Sequence, residues 1–433
     1  MGSENKRSFR NIVGAGLRPG RLIQNAIALM ISSGGTAVIG IVFWAVAAHL
    51  ASQKVVGRTT AEIAAMLLLA NLAQLSFGSI FERFLPVAGS LTRDFVKRAY
   101  IMVVAFGFVL ALAYLALGFG HSFLPSNWGW KALFVLAVLL WTIFALQDSV
   151  LIGLRASKWV AVENIAFSIA KLVLLPVSIA ISATQGIFAA WTAPVIVTII
   201  VITWYLFRTR IPEHMAMGGS TERLPSTHEL FFLAGAQYAA TLSSVFMPSI
   251  ITLIVIERLG AVANAHYYVP SMIATGLSLV CLSIVRSFLV EGSHEPHALR
   301  LHANSAIRAM VVLLTPSIII GIIFAPQFLG IFGATYAHHG TVLMRMLLLA
   351  VPGTAVMTFY STFAWLDQRL WWMTVRNVIG SVLQLVVILV LIDSHGIDAI
   401  GIAMLVNSAV TLILFLPASI RRYRLTEKMP SPG

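Results

Sequence analysis

Three cationic side chains in apolar parts of this sequence have the chemistry needed to bind an anion. Arg83 and Arg286 each begin the pattern R-x3-V-x-G-S, and Lys171 lies deep inside another apolar segment. A guanidinium group grips a phosphate bidentately, and an ammonium group binds it as a point charge. For the two arginines the alternative is that they extend to lipid headgroups from the ends of their helices.

Lys171 belongs to a stripe of polar residues on one face of a predicted helix. Asn164 and Ser168 precede it at spacings of four and then three residues, which align the side chains. The same pattern recurs later in the chain at Asn377, Ser381 and Gln384. The matched stripes predict two walls of one aqueous cavity, with the amides and the lysine as candidate binding residues. The alternative is hydrogen bonding between packed helices.

Three further charged residues have candidate roles. Asp148 is expected to form a salt bridge with Lys171, and the alternative is a proton or cation site. Arg345, near the predicted outer face, is a candidate for an outer gate. Glu163 lies close to a helix end and is expected at the membrane interface.

The composition indicates a membrane protein. Of 433 residues 59% are apolar and only 10% are charged, against about 25% in ordinary soluble domains, and the mean hydropathy is +0.90. Soluble enzymes and disordered chains are excluded. The single cysteine, Cys281, excludes a disulfide framework and a cysteine-based metal site. No cofactor or metal is predicted.

The apolar runs predict about twelve membrane-spanning helices, because each exceeds 18 residues and lacks the alternation of barrel strands. The predicted spans lie near 24–49, 60–86, 99–120, 130–153, 159–183, 187–207, 229–256, 265–290, 305–325, 341–366, 372–392 and 397–417. They define a basic N-terminus (1–23), a first six-helix bundle (24–207), a linker (208–228), a second bundle (229–417) and a basic tail (418–433).

The net charge of +13 is mainly a topology signal. Most of the basic residues fall on one side of the predicted membrane, which places both termini in the cytoplasm by the positive-inside rule. The same residues attract anionic lipids. Nucleic-acid binding is not predicted.

The two halves of the chain carry matched residues, which indicates an internal duplication. Gly57 and Gly260 keep the spacing of Arg83 and Arg286, and the polar stripes match in the same way. Six helices per half give parallel repeats related by an axis along the membrane normal, with a cavity between the bundles near the midplane. The predicted fold is therefore all-α and polytopic, with two six-helix bundles in pseudo-two-fold symmetry.

Several absences narrow the function. The chain has no G-x-x-x-x-G-K-[ST] sequence for phosphate binding and no outer loop long enough for a catalytic domain, so an enzyme is not predicted. Apart from Glu229 at the start of span seven, spans one and seven contain no acid before Glu257. A cation-coupled drug antiporter would usually bury a carboxylate in each half to carry the ion.

The order of these features resembles the polysaccharide flippases of the multidrug/oligosaccharidyl-lipid/polysaccharide exporter superfamily, of the O-antigen and exopolysaccharide type. The resemblance rests on four short stretches of sequence, and it extends over the whole chain at the level of topology and duplication. The stretches are SSGG at 32–35, FW at 43–44, FERFLP at 81–86 and GLRA at 153–156.

The resemblance implies a MATE/MOP-like fold and a flippase for a polyprenyl-pyrophosphate-linked saccharide in a bacterial inner membrane. It also implies that Arg83, Arg286 and Lys171 bind the diphosphate, and that Asn164, Asn377 and Gln384 meet sugar or water. Polysaccharide polymerase or assembly proteins are implied as partners. The alternatives are a cation-coupled small-molecule or drug antiporter, a non-transporting envelope-assembly scaffold and a membrane glycan ligase or polymerase.

Overall fold

The computed structural model describes residues 19–216, 227–294, 299–366 and 370–426, and helices dominate these ranges. A π-helical turn at Leu206–Arg210 joins α7 to α8, and two short 3₁₀ turns follow α3. The α-helices are α1 Pro19–Leu50, α2 Gln53–Ala73, α3 Phe77–Phe84, α4 Thr92–Ala116, α5 Trp128–Gly153, α6 Ser157–Ile181, α7 Gly186–Tyr205, α8 Ile211–Ala216, α9 Thr227–His294, α10 Leu299–Ile323, α11 Ala325–Gly330, α12 Ala334–Leu366, α13 Leu370–His395 and α14 Asp398–Thr426.

Ten stretches within the described ranges are long and apolar enough to cross a membrane, and Gly35–Leu50 of α1 is a shorter apolar stretch. One of the ten, Phe246–Val285, covers parts of predicted spans seven and eight. These stretches together match the twelve predicted spans. The all-helical, multi-pass architecture is confirmed.

Helix α9 contains both span seven and span eight, which meet at a sharp bend. Gly260 at the bend has φ 85° and ψ 177°, a backbone conformation that glycine adopts at little cost because it has no Cβ. The matched glycine of the first half, Gly57, lies inside α2 instead. The two members of this predicted pair therefore serve different purposes.

Gly57 permits close contact between the two halves. A Cβ atom built on Gly57 would lie 1.7 Å from the carbonyl oxygen of Ala261 in α9. The Asn264 side-chain amide donates to the Gly57 carbonyl at 2.7 Å and to the Thr60 hydroxyl at 3.0 Å. We call these four residues, Gly57, Thr60, Ala261 and Asn264, the inter-half seam.

Other contacts between the halves lie at the same end of the molecule as the seam, which the charge pattern predicts to be the outer end. The Ser122 hydroxyl donates to a Glu257 carboxylate oxygen at 2.6 Å, and Gln53 donates to Thr335. The rings of Trp44 and Tyr268 pack edge to face with centroids 4.9 Å apart. The seam and these contacts bring the halves together at this end.

The predicted second span is broken near its inner end. Helix α2 ends at Ala73, and Leu75 and Ser76 adopt left-handed backbone with φ 46° and 61°. The chain then continues as the separate short helix α3, which carries Arg83. Such conformations are uncommon for residues other than glycine, so the apolar pattern alone did not predict the break.

Candidate functional site

Lys171 is a buried cation in the first half of the molecule. It lies fourteen residues after the start of α6, or about 21 Å along the helix at a rise of about 1.5 Å per residue. Its side chain is 5% exposed. Lys171 therefore lies buried near the middle of a helix that is long and apolar enough to cross a membrane.

Three aromatic side chains from three helices surround the Lys171 ammonium group and form what we call the aromatic cage. Lys171 Nζ lies 3.7 Å from the ring centroid of Trp191 on α7, 5.1 Å from that of Phe167 and 5.4 Å from that of Phe43 on α1. Aromatic faces attract cations through their quadrupole, most strongly where water is excluded. The cage therefore stabilises the positive charge without neutralising it.

The expected salt bridge between Asp148 and Lys171 does not form. The Asn164 side-chain amide donates to both Asp148 carboxylate oxygens, at 3.2 and 3.3 Å. No ion pair joins Lys171 to any carboxylate in the described ranges. Asn164 is thus a partner of Asp148, and Lys171 keeps its charge available to another anion.

Glu163 is buried in the helix bundle six residues after the start of α6, and its position near the membrane interface stays a prediction. It is 2% exposed, and neither of its carboxylate oxygens has a hydrogen-bond partner. It lies on α6 one residue before Asn164, the partner of Asp148 on α5. The hydroxyl oxygen of Tyr100, on α4, is also buried and unpartnered.

A further buried carboxylate, Glu62 on α2, was not identified from the sequence. It is 2% exposed, and its Oε1 atom lies 3.8 Å from Arg58 Nε. The only sequence signal was an acid within an otherwise apolar segment, four residues after an arginine. Buried acids thus occur in the first half on α2 and α6, and the half-buried Asp148 lies on α5.

In the second half, the α13 stripe faces the helix bundle. Gln384 is 5% exposed, and its side-chain nitrogen has no hydrogen-bond partner. Asn377 is half-buried, and its oxygen accepts a hydrogen bond from Arg376 at 3.2 Å. The predicted amides therefore lie on the side of α13 that packs against other helices, together with Arg376. In the sequence, Arg376 served only as one of the basic residues that predict the topology.

The remaining candidate arginines do not join this group. Arg83 is exposed on α3, with its guanidinium carbon 5.2 Å from the ring centroid of Phe84. Arg286 lies in α9, but its side chain is outside the described part of the molecule. Arg345 is exposed and donates to the Ile322 carbonyl at 3.1 Å, a contact within the second half.

The three rings of the aromatic cage are not evident as a group in the sequence. Phe167 lies four residues before Lys171 on the same helix, a spacing that brings side chains together. Phe43 and Trp191 have no sequence relation to Lys171, because they come from other helices. Only the packing of α1 and α7 against α6 brings them to the ammonium group.

Comparison with known proteins gives matches to solved structures alone. No family model and no curated protein sequence matches the chain. The MATE multidrug transporter DinF-BH superposes with a TM-score of 0.65 at 13% identity, covering 95% of this chain and 97% of that one. The chain has the MATE fold.

Two other MATE structures match over the same extent. A MATE protein in complex with MaL6 gives a TM-score of 0.62 at 14% identity, and an outward-facing MATE transporter of the MOP superfamily gives 0.61 at 15% identity. Each alignment covers 94% of this chain and 96% of the other. The matches therefore extend over both halves and confirm the pseudo-symmetric two-bundle architecture. At these identities they establish the fold alone.

Proposed function

We propose that the chain is a flippase that moves a polyprenyl-diphosphate-linked saccharide from the inner to the outer leaflet of a bacterial plasma membrane. The proposed mechanism is alternating access, and the proposed purpose is synthesis of cell-envelope polysaccharide. One observation carries the proposal. The Lys171 ammonium group lies deep in the membrane, caged by rings and without a carboxylate partner in the described ranges.

A cation held in this way favours an anionic substrate over a cationic one. Charges interact several-fold more strongly in the low dielectric of a protein interior than in water. The uncompensated ammonium group attracts a diphosphate and repels an organic cation. The aromatic cage, which would suit an organic cation, is already filled by the Lys171 side chain.

The physics of the membrane explains why such a headgroup needs a protein. A diphosphate cannot cross about 30 Å of hydrocarbon unaided. A polar path lined with a cation lowers that barrier, while the polyprenyl tail stays in lipid. Amides such as Gln384, whose side-chain nitrogen is buried without a partner, can donate to saccharide hydroxyl groups.

The experiment that tests this function is depletion of the protein in its native host, followed by extraction of lipid-linked saccharides. Wild type should clear the polyprenyl-diphosphate saccharide that accumulates, and Lys171→Ala should not. The matched control is Lys158→Ala, which removes an exposed lysine from the same helix and should restore clearance. Arg83→Ala and Arg286→Ala test the two other candidate cations.

Two results would contradict the proposal. If no lipid-linked saccharide accumulates on depletion, the proposed substrate class is wrong. If a stably expressed Lys171→Ala variant clears the saccharide fully, Lys171 is not needed to bind the substrate. If neither a saccharide nor a drug is transported, the envelope-assembly scaffold becomes the preferred function.

A cation-coupled antiporter is the second candidate, and the buried carboxylates favour it. Glu163 and Glu62 are each 2% exposed, and Asp148 has Asn164 as its donor. Glu62 has Arg58 as a charged partner, whereas no described ion pair involves Glu163 or Asp148. An acid in a membrane span without such a partner can carry a proton or a cation. This candidate predicts that Glu163→Gln abolishes drug efflux from cells, whereas the flippase predicts no efflux in wild type.

A further inference from the structure

Arg376 is a second cation on the interior face of the membrane-spanning helices, in the half opposite to Lys171. It is half-buried on α13. Gly380, Gln384, Ile388 and Ile392 follow it at intervals of four residues and are buried. Residues at this interval lie on one helix face. Arg376 therefore lies on the α13 face that packs into the second half.

Within the described part of the molecule, the Arg376 guanidinium group contacts uncharged partners. It donates to the Asn377 side-chain oxygen at 3.2 Å and to the Thr411 hydroxyl on α14, and its central carbon lies 5.8 Å from the Phe415 ring centroid. No described carboxylate forms an ion pair with it. A guanidinium group has five N–H donors in a planar fork, so these two bonds leave donors for an anion.

Gly380 allows the Asn407 side chain of α14 to approach α13 closely beside this guanidinium group. A Cβ atom at residue 380 would lie 3.0 Å from the side-chain oxygen of Asn407 on α14 and 3.8 Å from the guanidinium carbon of Arg376. A side chain at residue 380 would therefore push against Asn407 and crowd the guanidinium group. Gly380 thus allows the Arg376 guanidinium group and the Asn407 amide to lie close together between α13 and α14.

The equivalent position in the first half is an acid. If Asn164 is matched with Asn377, then Arg376 corresponds to Glu163, which is buried without a partner. The arginine is thus a feature of the second half alone. Arg376 lies six residues after the start of α13, or about 9 Å along the helix, whereas Lys171 lies about 21 Å along α6.

We infer that Arg376, with Asn377 and Asn407, forms a second diphosphate-binding site, closer to the predicted cytoplasmic surface than Lys171 by about 12 Å. The inference rests on the proposed flippase function. A diphosphate entering from the inner leaflet meets Arg376 first and then the deeper Lys171. Recognition is by paired N–H donors to phosphate oxygens, the geometry that a guanidinium group provides and an ammonium group does not.

The test is binding of a C15 isoprenyl diphosphate to the purified full-length protein in lipid nanodiscs. Arg376→Gln should weaken binding by about tenfold or more, and Arg376→Lys should weaken it less, since the charge remains but the fork is lost. The matched control is Arg308→Gln, which removes an exposed arginine from α10 and should leave the dissociation constant unchanged. Inorganic pyrophosphate should compete, and the C15 alcohol should not.

A purely structural arginine would give a different result. In that case Arg376→Gln would lower the melting temperature of the ligand-free protein. Pyrophosphate would still raise the melting temperature of this variant by as much as it raises that of wild type. That result, or wild-type affinity for the isoprenyl diphosphate in Arg376→Gln, would overturn the inference. Equal competition by the C15 alcohol would also overturn it, since the tail and not the phosphate would then be recognised.

Two precautions keep the outcome interpretable. If Arg376→Gln does not fold, Gly380→Val separates Asn407 from the guanidinium group while leaving both residues in the chain, and it should weaken binding several-fold; unchanged binding would overturn the inference. If the wild type itself binds no isoprenyl diphosphate, the flippase proposal fails with it. If wild type binds and Arg376→Gln binds equally, only the second site fails.

Discussion

Helices α6 and α13 occupy equivalent places in the two halves and differ in charge at two matched positions. Both carry an asparagine and a serine at the same spacing. The acid and the base of α6 are replaced in α13 by a base and an amide. The charged pair in α6 is Glu163 and Lys171, and the matched pair in α13 is Arg376 and Gln384.

The comparison shows that a duplicated scaffold can keep its hydrogen-bonding groups while its electrostatics diverge. In α6 the shallow position is negative and the deep one is positive. In α13 the shallow position is positive and the deep one is neutral, with Gln384 buried and its nitrogen unpartnered. At these matched positions, the deep cation occurs in the first half only and the shallow cation in the second half only.

The largest effect on saccharide translocation should come from giving residue 171 of α6 the same side chain as its match, Gln384 of α13. Lys171→Gln should lower saccharide translocation by roughly 100-fold, because a hydrogen bond to a charged group contributes about 1.5–3 kcal/mol. The measurement is clearance of the accumulated lipid-linked saccharide in depleted cells. Adding Gln384→Lys to this variant should restore part of the activity, since residue 384 lies at the same depth in α13. A stable double variant without recovery would show that the two halves do not share one cavity.

The second-largest effect should come from removing Trp191, the aromatic ring nearest to Lys171. Trp191→Ala should destabilise the protein by about 3 kcal/mol, through lost packing and lost attraction to the cation. Trp191→Phe keeps an aromatic face and should cost less than half of this. Thermal unfolding in nanodiscs is the measurement. If Trp191→Ala and Trp191→Phe lose equal stability, an aromatic face at residue 191 does not by itself stabilise the site.

The matched glycines provide the next test, because they differ between the halves as the charges do. Gly57→Ala should destabilise contact between the halves by about 2–3 kcal/mol, the cost of overpacking at a close approach. Gly276→Ala on α9 has no atom within 4 Å of the new Cβ and should change little. Labelling of single cysteines at the predicted outer end would increase only for the residue 57 variant. Unchanged labelling would contradict the seam.

The smallest effect should come from the two asparagines. Asn164→Ala should cost about 2 kcal/mol of stability, because Asp148 loses the amide that donates to both of its oxygens. Asn377→Ala should cost about 1 kcal/mol, since Arg376 keeps Thr411 as a partner. Denaturation curves of both variants check the order. A reversed order would mean that the arginine depends on its neighbour more than the aspartate does.

Much of the fold could be predicted from the sequence. An apolar run of membrane length forms an α-helix, because in lipid its backbone N–H and C=O groups must hydrogen-bond within the segment itself. The membrane-spanning helices follow from that constraint, and the duplication follows from the matched residues of the two halves. The burial of Lys171 and Gln384 follows from helical periodicity. The break at Leu75 and Ser76 could not be predicted, because it depends on local backbone conformation that the apolar pattern does not encode.

The sequence by itself determined the class of protein, the order of helices and the residues that share each helix face. The tertiary structure alone decided which side chains of different helices contact one another. It placed Asn164, and not Lys171, on Asp148, it surrounded Lys171 with Phe43 and Trp191, and it turned Arg376 toward Thr411. The physical reason is that spacing along one helix sets direction, whereas a contact between helices depends on how whole helices pack.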